Sequence, residues 1–518
     1  MRIGLEKKTV EGSKPESGIF KSPMSNKVKF VFLLFASLYL AYHIFTLSSN
    51  PLPRVDEVFF ASISKSLLEY GTFVPEICRE TLNGEEVYLY GPIHFFLESF
   101  SFRIFGFGIF EYRWITFAFG ITTILSTAVL FRLYHPSFKH YCLLILVFAL
   151  DPFMNLSMHE GRMNLVAVSF VLIAIYFLIK GLRTERLYYF FISGMFAVFA
   201  ILTTPQVGFI ILPAMLVFLY LMEGKNLKQS LLSIILWSLP VIVLYSCWMF
   251  YAFGGVAGLL KYYQQAHGEY FGGEFYIPRQ EYLVILLATV SMIIGIYKKG
   301  KSYFNSLVAI SLLSIFLFYA LVVDWGPHST LILPFYYFLI FHGFAEEELS
   351  ARRWSFYPLL LLFIFNLSYF SLKSLQILSE TENRSTKVAD AFIKMNIPEG
   401  SKVIGDGQYY YSVVKAKSSY RIFDQYLSIE ARERLLKEMY DYDYLIVSDR
   451  SRVKDPETVK FFLANAELKK VAQLKLDQSE LSQWIAELGL FSNVERHGYN
   501  AEIFVRVKKY KSPMAGLY

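Results

Sequence analysis

The chain has 518 residues, 55% hydrophobic and only 18% charged. That balance excludes an ordinary soluble globular protein, in which about a quarter of residues carry charge. The 50 Lys and Arg outnumber the 43 Asp and Glu to give a formal net charge of +7, but the excess lies in short loops between apolar runs, the pattern of a polytopic membrane protein and not of a nucleic-acid binder.

The apolar runs are long and continuous, without period-two alternation, so the expected fold class is an α-helical polytopic membrane protein and not a β-barrel. Residues 1–28 are polar and carry Lys7, Lys8, Lys14, Lys21 and Lys27, and they read as a basic cytoplasmic tail. A transmembrane domain is expected over 29–371, with about eleven spans. The first covers about 30–47, close to the ~20 residues a helix needs to cross hydrocarbon. A long outer loop, 49–113, follows. The next spans are expected near 114–131, 141–157, 164–179, 187–202, 207–222 and 231–253. A second long outer loop, 254–282, precedes an eighth span that returns to Lys298, Lys299 and Lys301. The last three are expected near 303–323, 329–345 and 355–371. With this alternation every inner loop is basic, and the first outer loop is rich in Glu.

Residues 372–518 change character, with shorter apolar runs and more charge. Strands are expected at Lys402–Gly405, Tyr444–Val447 and Ala501–Val507, and amphipathic helices at Ile429–Tyr440 and Pro456–Ala466. This is a small soluble α/β domain on the outer side. The three cysteines, Cys78, Cys142 and Cys247, are too few for a disulfide framework.

Polar chemistry gathers at the outer ends of the spans. Asp56-Glu57 follows the first span directly. Such a pair can take a proton from a nucleophile or hold a divalent cation; alternatively, Asp56 caps the helix that starts there. Phe59, Phe60, Ile63, Leu67 and Leu68 recur at helical spacing and would lay that helix along the bilayer surface. His159-Glu160-Gly161-Arg162-Met163-Asn164 opens the fourth span. Here Arg162 can meet a phosphate and Glu160 a metal or a sugar hydroxyl, or the two form a snorkelling pair. In the second outer loop, Lys261 and Arg279 break the inner bias of positive charge and can meet an anion such as a lipid phosphate; the plain reading is a solvated loop. His328, in the turn Asp324-Trp325-Gly326-Pro327-His328, is a metal or phosphate ligand or a turn residue. Asp56, Glu160 and His328 could share a divalent cation if the fold brings them together. There is no P-loop and no GxGxxG in a βαβ setting, which argues against nucleotide hydrolysis.

The ordered set of Asp56-Glu57, Glu69-Tyr70-Gly71, Tyr90-Gly91-Pro92-Ile93, Phe105-Gly106 with Arg113, Arg162, Leu202-Thr203-Thr204-Pro205 and Leu333-Pro334-Phe335 resembles the GT-C glycosyltransferases. In particular it is similar to the protein O-mannosyltransferases and the lipid A aminoarabinose transferase. The resemblance runs from about 30 to 371, and relatives often carry an extracytoplasmic C-terminal domain. It implies inverting transfer of a sugar from a polyprenyl-phosphate donor to a lipid, glycan or protein acceptor at the outer face of the plasma (inner) membrane. Asp56 then matches the catalytic or metal-assisting acid, Glu57 supports it, and Arg162 lies near the donor. Tyr90 stands where relatives often carry the lysine of a Lys-Pro-Pro element, which leaves Lys261, Arg279 or His328 to meet the phosphate. Two other classes compete with this reading. A lipid-linked sugar transporter or flippase calls for charges along a path through the spans, and few mid-span charges exist. A cell-envelope scaffold would tolerate replacement of Asp56, Glu57 and Arg162.

Overall fold

The computed structural model describes residues 26–79, 84–88, 90–135, 138–222, 226–262, 281–321, 328–344, 356–423, 442–465, 467–488 and 498–507. Helices that lie wholly among the described residues include, in chain order, α1 (Asn26–Thr46), α2 (Val55–Tyr70), α3 (Pro92–Phe105), α4 (Ile109–Arg132), α5 (Phe138–Ala149), α6 (Pro152–His159), α7 (Asn164–Thr184), α8 (Leu187–Ile201), α9 (Gly208–Met222), α10 (Leu227–Phe253), α11 (Tyr282–Lys299), α12 (Ser306–Leu321), α13 (Leu333–Phe344) and α14 (Phe356–Ser379). Among the described residues, six helices are long and apolar enough to cross a membrane, or seven if α5 and α6 form one broken span. Four more, α8, α11, α12 and α13, are apolar but shorter. This is a multi-pass membrane protein.

The chain divides into two compact units. The first holds Met1–Phe45, Ala118–Ser157 and Met163–Phe370; the second holds Thr46–Phe117, Met158–Arg162 and Ser371–Tyr518.

In the first unit the expected third span is interrupted. The sequence reads as one run over 141–157, but α5 stops at Ala149 and α6 starts at Pro152 with a 60° bend between them. Asp151 explains the break. Its Oδ1 accepts from the backbone N–H groups of Phe153 and Met154, at 2.9 and 2.8 Å, so it caps α6. Pro152 follows at the first helical position, where its missing N–H costs nothing. The other oxygen accepts from the Tyr337 hydroxyl at 2.8 Å, and Asn366 donates to that hydroxyl and to the Val147 carbonyl. A polar break in an apolar unit persists because its freed backbone and side-chain groups are paired.

In the second unit, α2 and α3 pack together, each with one buried face. α2 buries Val58, Phe60, Ala61 and Ile63, and ends at Gly71, whose φ of 71° closes the helix with an N–H bond to Leu67 O. α3 starts with Pro92 and buries His94, Phe95, Glu98, Ser99 and Phe102, leaving Phe96, Phe100 and Ile104 outward. The C-terminal residues add α15 (Thr386–Asn396), α16 (Tyr410–Lys415), α17 (Asp449–Lys454), α18 (Pro456–Asn465) and α19 (Glu480–Glu487).

They also form a five-stranded sheet: β1 (Lys402–Gly405), β2 (Ser419–Ile422), β3 (Tyr444–Ser448), β4 (Leu468–Leu474) and β5 (Ala501–Arg506). The order is β2-β1-β3-β5-β4. β1 is parallel to β2 and β3, while β5 is antiparallel to β3 and β4. Ile404, Leu445, Val447, Val459 and Phe462 form the core on one face. The expected strands match β1, β3 and β5, and the second expected helix matches α18. β2 and β4 were not anticipated. The helix expected at Ile429–Tyr440 lies outside the described residues.

Candidate active site

The second unit brings together the two acidic clusters that are 106 positions apart in sequence. Arg54 takes the cap position of α2 in extended conformation, and no side chain caps this helix. Asp56 therefore lies within the first turn and is not the cap considered from sequence. Its Oδ2 accepts from Arg162 Nη1 at 2.9 Å. Two residues earlier on each strand of chain, Arg54 donates to Glu160 in a short ion pair. Arg-x-Asp thus runs beside Glu-x-Arg, with 54 facing 160 and 56 facing 162.

The neighbouring carboxylates have opposite surroundings. The Asp56 side chain is 39% exposed, whereas Glu57 is 2% exposed and Arg113 fully buried. Arg113 donates from Nε and Nη2 to the two Glu57 oxygens, at 2.8 and 2.7 Å, and from Nη1 to Leu47 O at 2.9 Å. One guanidinium therefore ties the end of the first span, the start of α2 and the start of α4. Burial pushes the Glu57 carboxyl above its ordinary range, and Arg113 opposes that push. Asp56 is open to solvent, and Glu57 is not.

Gly161 lets the corner before α7 approach this pair. Its φ is +62°, and a Cβ there would lie 2.2 Å from the Tyr112 ring and 3.4 Å from Glu57 Cγ. His159 Nδ1 lies 2.7 Å from Asn50 O, a second tie between the corner and the segment before α2. Beneath it, His94 Nε2 is 3.4 Å from the Tyr112 hydroxyl and 3.9 Å from Glu98. Among the described residues, neither Glu98 oxygen has a hydrogen-bond partner. Burial pushes the Glu98 carboxyl well up and the His94 imidazole down to about 3, so both groups favour their neutral forms.

The remaining sequence candidates lie elsewhere. Tyr90 is in the second unit, half-buried, and meets Phe60 edge-on at 5.2 Å. His328 belongs to the first unit and is buried; Gln206 donates to its Nε2 at 3.1 Å, and Nδ1 is 3.4 Å from Asn164 Oδ1. Lys261, also in the first unit, is exposed on a helical stretch. Arg279 lies outside the described residues. Among the described residues no group of three or more His, Cys, Asp or Glu could hold a metal ion. Asp56 and Glu160 are each met by a guanidinium, so this donor set does not fit a preformed metal centre.

Arg54, Arg113, Tyr112 and Gly161 complete the site and were given no role from sequence. A glycine between two charged residues, in Glu160-Gly161-Arg162, was the available signal for one of them.

Residues 90–251 match the family model described as dolichyl-phosphate-mannose-protein mannosyltransferase. No curated protein sequence matches the chain. Among solved structures, ArnT from Cupriavidus metallidurans bound to undecaprenyl phosphate superposes with a TM-score of 0.61 at 12% identity, over 94% of this chain and 99% of that one. The same ArnT in the apo state gives 0.58 at 12% identity, over 92% and 98%. The Archaeoglobus fulgidus oligosaccharyltransferase tethered with an acceptor peptide gives 0.45 at 12% identity, over 83% and 70%. The chain thus shares the fold of ArnT, and its residues 90–251 match the family model of the dolichyl-phosphate-mannose-protein mannosyltransferases.

Proposed function

We propose that this protein is a membrane glycosyltransferase that moves a sugar from a polyprenyl-phosphate donor to an acceptor at the outer face of the plasma membrane, with inversion. The observation that carries this reading is the solvent-reachable Asp56 held beside Arg162, with Glu160 and Arg54 next to them. The ArnT structure with undecaprenyl phosphate supports the donor class. The basic inner loops support a cytoplasmic N-terminus. The six long helices, the broken pair and the four shorter apolar helices support the reading of eleven spans.

The chemistry follows from the two paired charges. Asp56 accepts the proton of the acceptor hydroxyl as its oxygen bonds to the anomeric carbon. The bond from that carbon to the phosphate oxygen breaks in the same displacement, which inverts the centre and leaves polyprenyl phosphate with an added negative charge. Arg162 and Arg54 are the cations placed to stabilise that charge. Both arginine pairs are partly exposed, so exchanging a carboxylate for a phosphate costs each guanidinium little.

The test is to reconstitute the purified chain in vesicles with polyprenyl-phosphate-linked sugars and an envelope acceptor fraction. Acceptor-dependent release of polyprenyl phosphate supports the reading. No release from hexosyl, pentosyl or amino-sugar donors contradicts it.

A further inference from the structure

The parallel part of the sheet has a switch point. From β1 the chain moves to β2 on one side, and β3 then lies on the other, giving the order β2-β1-β3. In open α/β sheets the crevice at the carboxyl ends of such strands is where ligands bind. Here those ends are tied together, because Ser448 Oγ, on the last residue of β3, donates to Asp406, just after β1. Asp406 also accepts from the Gln408 N–H at 3.0 Å, which fixes the first loop.

Both loops meet the chain's own residues 53–55. Arg450, 7% exposed, donates from Nη1 to the Pro53 carbonyl at 2.6 Å. Gly407 approaches so closely that an added Cβ would lie 3.3 Å from Val55 N and 3.4 Å from the Arg54 carbonyl carbon. A third tie lies just upstream, where Arg384 Nη1 donates to Asn50 Oδ1 at 3.2 Å.

We propose that the C-terminal sheet domain is a positioning element of the transferase site. Its switch-point crevice grips Pro53–Val55 and so fixes the backbone that presents Asp56, with Arg450 as the principal positioning residue. This rests on the role of Asp56 given above. Arg450 touches a backbone carbonyl three residues before the Asp56–Glu57 peptide and needs no contact with substrate.

The experiment compares the full chain with Arg450→Ala, Arg450→Lys and Gly407→Ala, reading transfer kinetics and backbone amide exchange. For Arg450→Ala we expect kcat to fall on the order of 10²-fold, the scale of a misplaced reacting group, with KM for the donor within about twofold. Amides of 52–58 should exchange faster while those of β3 stay protected. Lysine at 450 can still donate to Pro53 O, so it should recover most of kcat. Gly407→Ala should loosen the same amides without removing any charge. Unchanged exchange over 52–58 in both Arg450→Ala and Gly407→Ala would overturn the proposal. If Arg450→Ala fails to fold, Gly407→Ala alone carries the test, and unchanged exchange over 52–58 in it overturns the proposal. A wild-type chain that transfers no sugar sinks the transferase reading, yet the exchange measurement still decides whether the domain grips this segment.

Discussion

Arg113 grips Glu57 with two parallel hydrogen bonds of 2.8 and 2.7 Å in a fully buried setting, one residue from an Asp56 that faces solvent. Removing one partner of a buried ion pair leaves an uncompensated charge, at a cost of about 3–5 kcal/mol. Arg113→Met should therefore unfold the second unit or lower its melting temperature sharply. The paired change Glu57→Gln with Arg113→Met should recover much of that stability. Thermal unfolding of the three proteins in detergent checks this. Equal losses in the single and double variants would show that the pair is not the source.

Gly161 makes a separate prediction. A non-glycine residue at its φ of +62° costs roughly 1–2 kcal/mol by backbone strain alone. Gly161→Ala adds a collision with the Tyr112 ring, 2.2 Å from the new Cβ. In a Tyr112→Leu background only the strain should remain. A double-mutant cycle measured by unfolding should thus show positive coupling between 161 and 112. Identical cost in both backgrounds would mean that the ring moves freely.

Much of this arrangement was legible in the sequence, for physical reasons that can be named. Long apolar runs follow from the cost of exposing polar groups to hydrocarbon, so the expected spans overlap the helices of the first unit, although α14 runs on to Ser379, eight residues past the expected end at 371. The strands β1 and β3 showed as short apolar runs because both lie in the sheet interior. β4 did not, because its Lys469, Lys470 and Val471 are exposed at an edge, which blurs the pattern. β2 is a four-residue edge strand in which Ser419 and Arg421 alternate with the buried Tyr420 and Ile422, so it shows no apolar run of the kind that marks β1. The break at Asp151-Pro152 carries a local signal, an acidic cap before a proline, but the apolar residues on both sides let the run be read through it, and the partner Tyr337 lies 186 positions away. Asp56 and Glu57 looked alike as letters. What separates them is the helical turn of about 100° between neighbours, which sends one toward water and the other to Arg113. Nothing local in sequence names that partner, 56 positions on.

Glu98 supplies a pH signature. Burial raises its carboxyl well above the ordinary value of 4.5, so the folded chain keeps a proton that the unfolded chain loses. The stability this contributes is present below pH 4.5 and is lost as pH rises through the folded pKa. His94 works in the other sense. Its imidazole, lowered to about 3 from 6.5, contributes stability that is full above pH 6.5 and is lost as pH falls toward 3. Glu98→Gln should therefore flatten the alkaline side of the stability profile and leave the acid side in place. A melting-temperature series from pH 5 to 9 reads this out; an unchanged alkaline slope would show that Glu98 ionises freely in the folded state.

The most direct measurement is the turnover of Asp56→Asn in the vesicle assay, beside a melting curve and an amide-exchange map. Asparagine keeps the size of the side chain and can still face Arg162, so the fold should be unchanged. Without a base for the acceptor hydroxyl, turnover should fall by about 10²–10⁴-fold. Transfer at close to the wild-type rate by a folded Asp56→Asn protein would contradict the account.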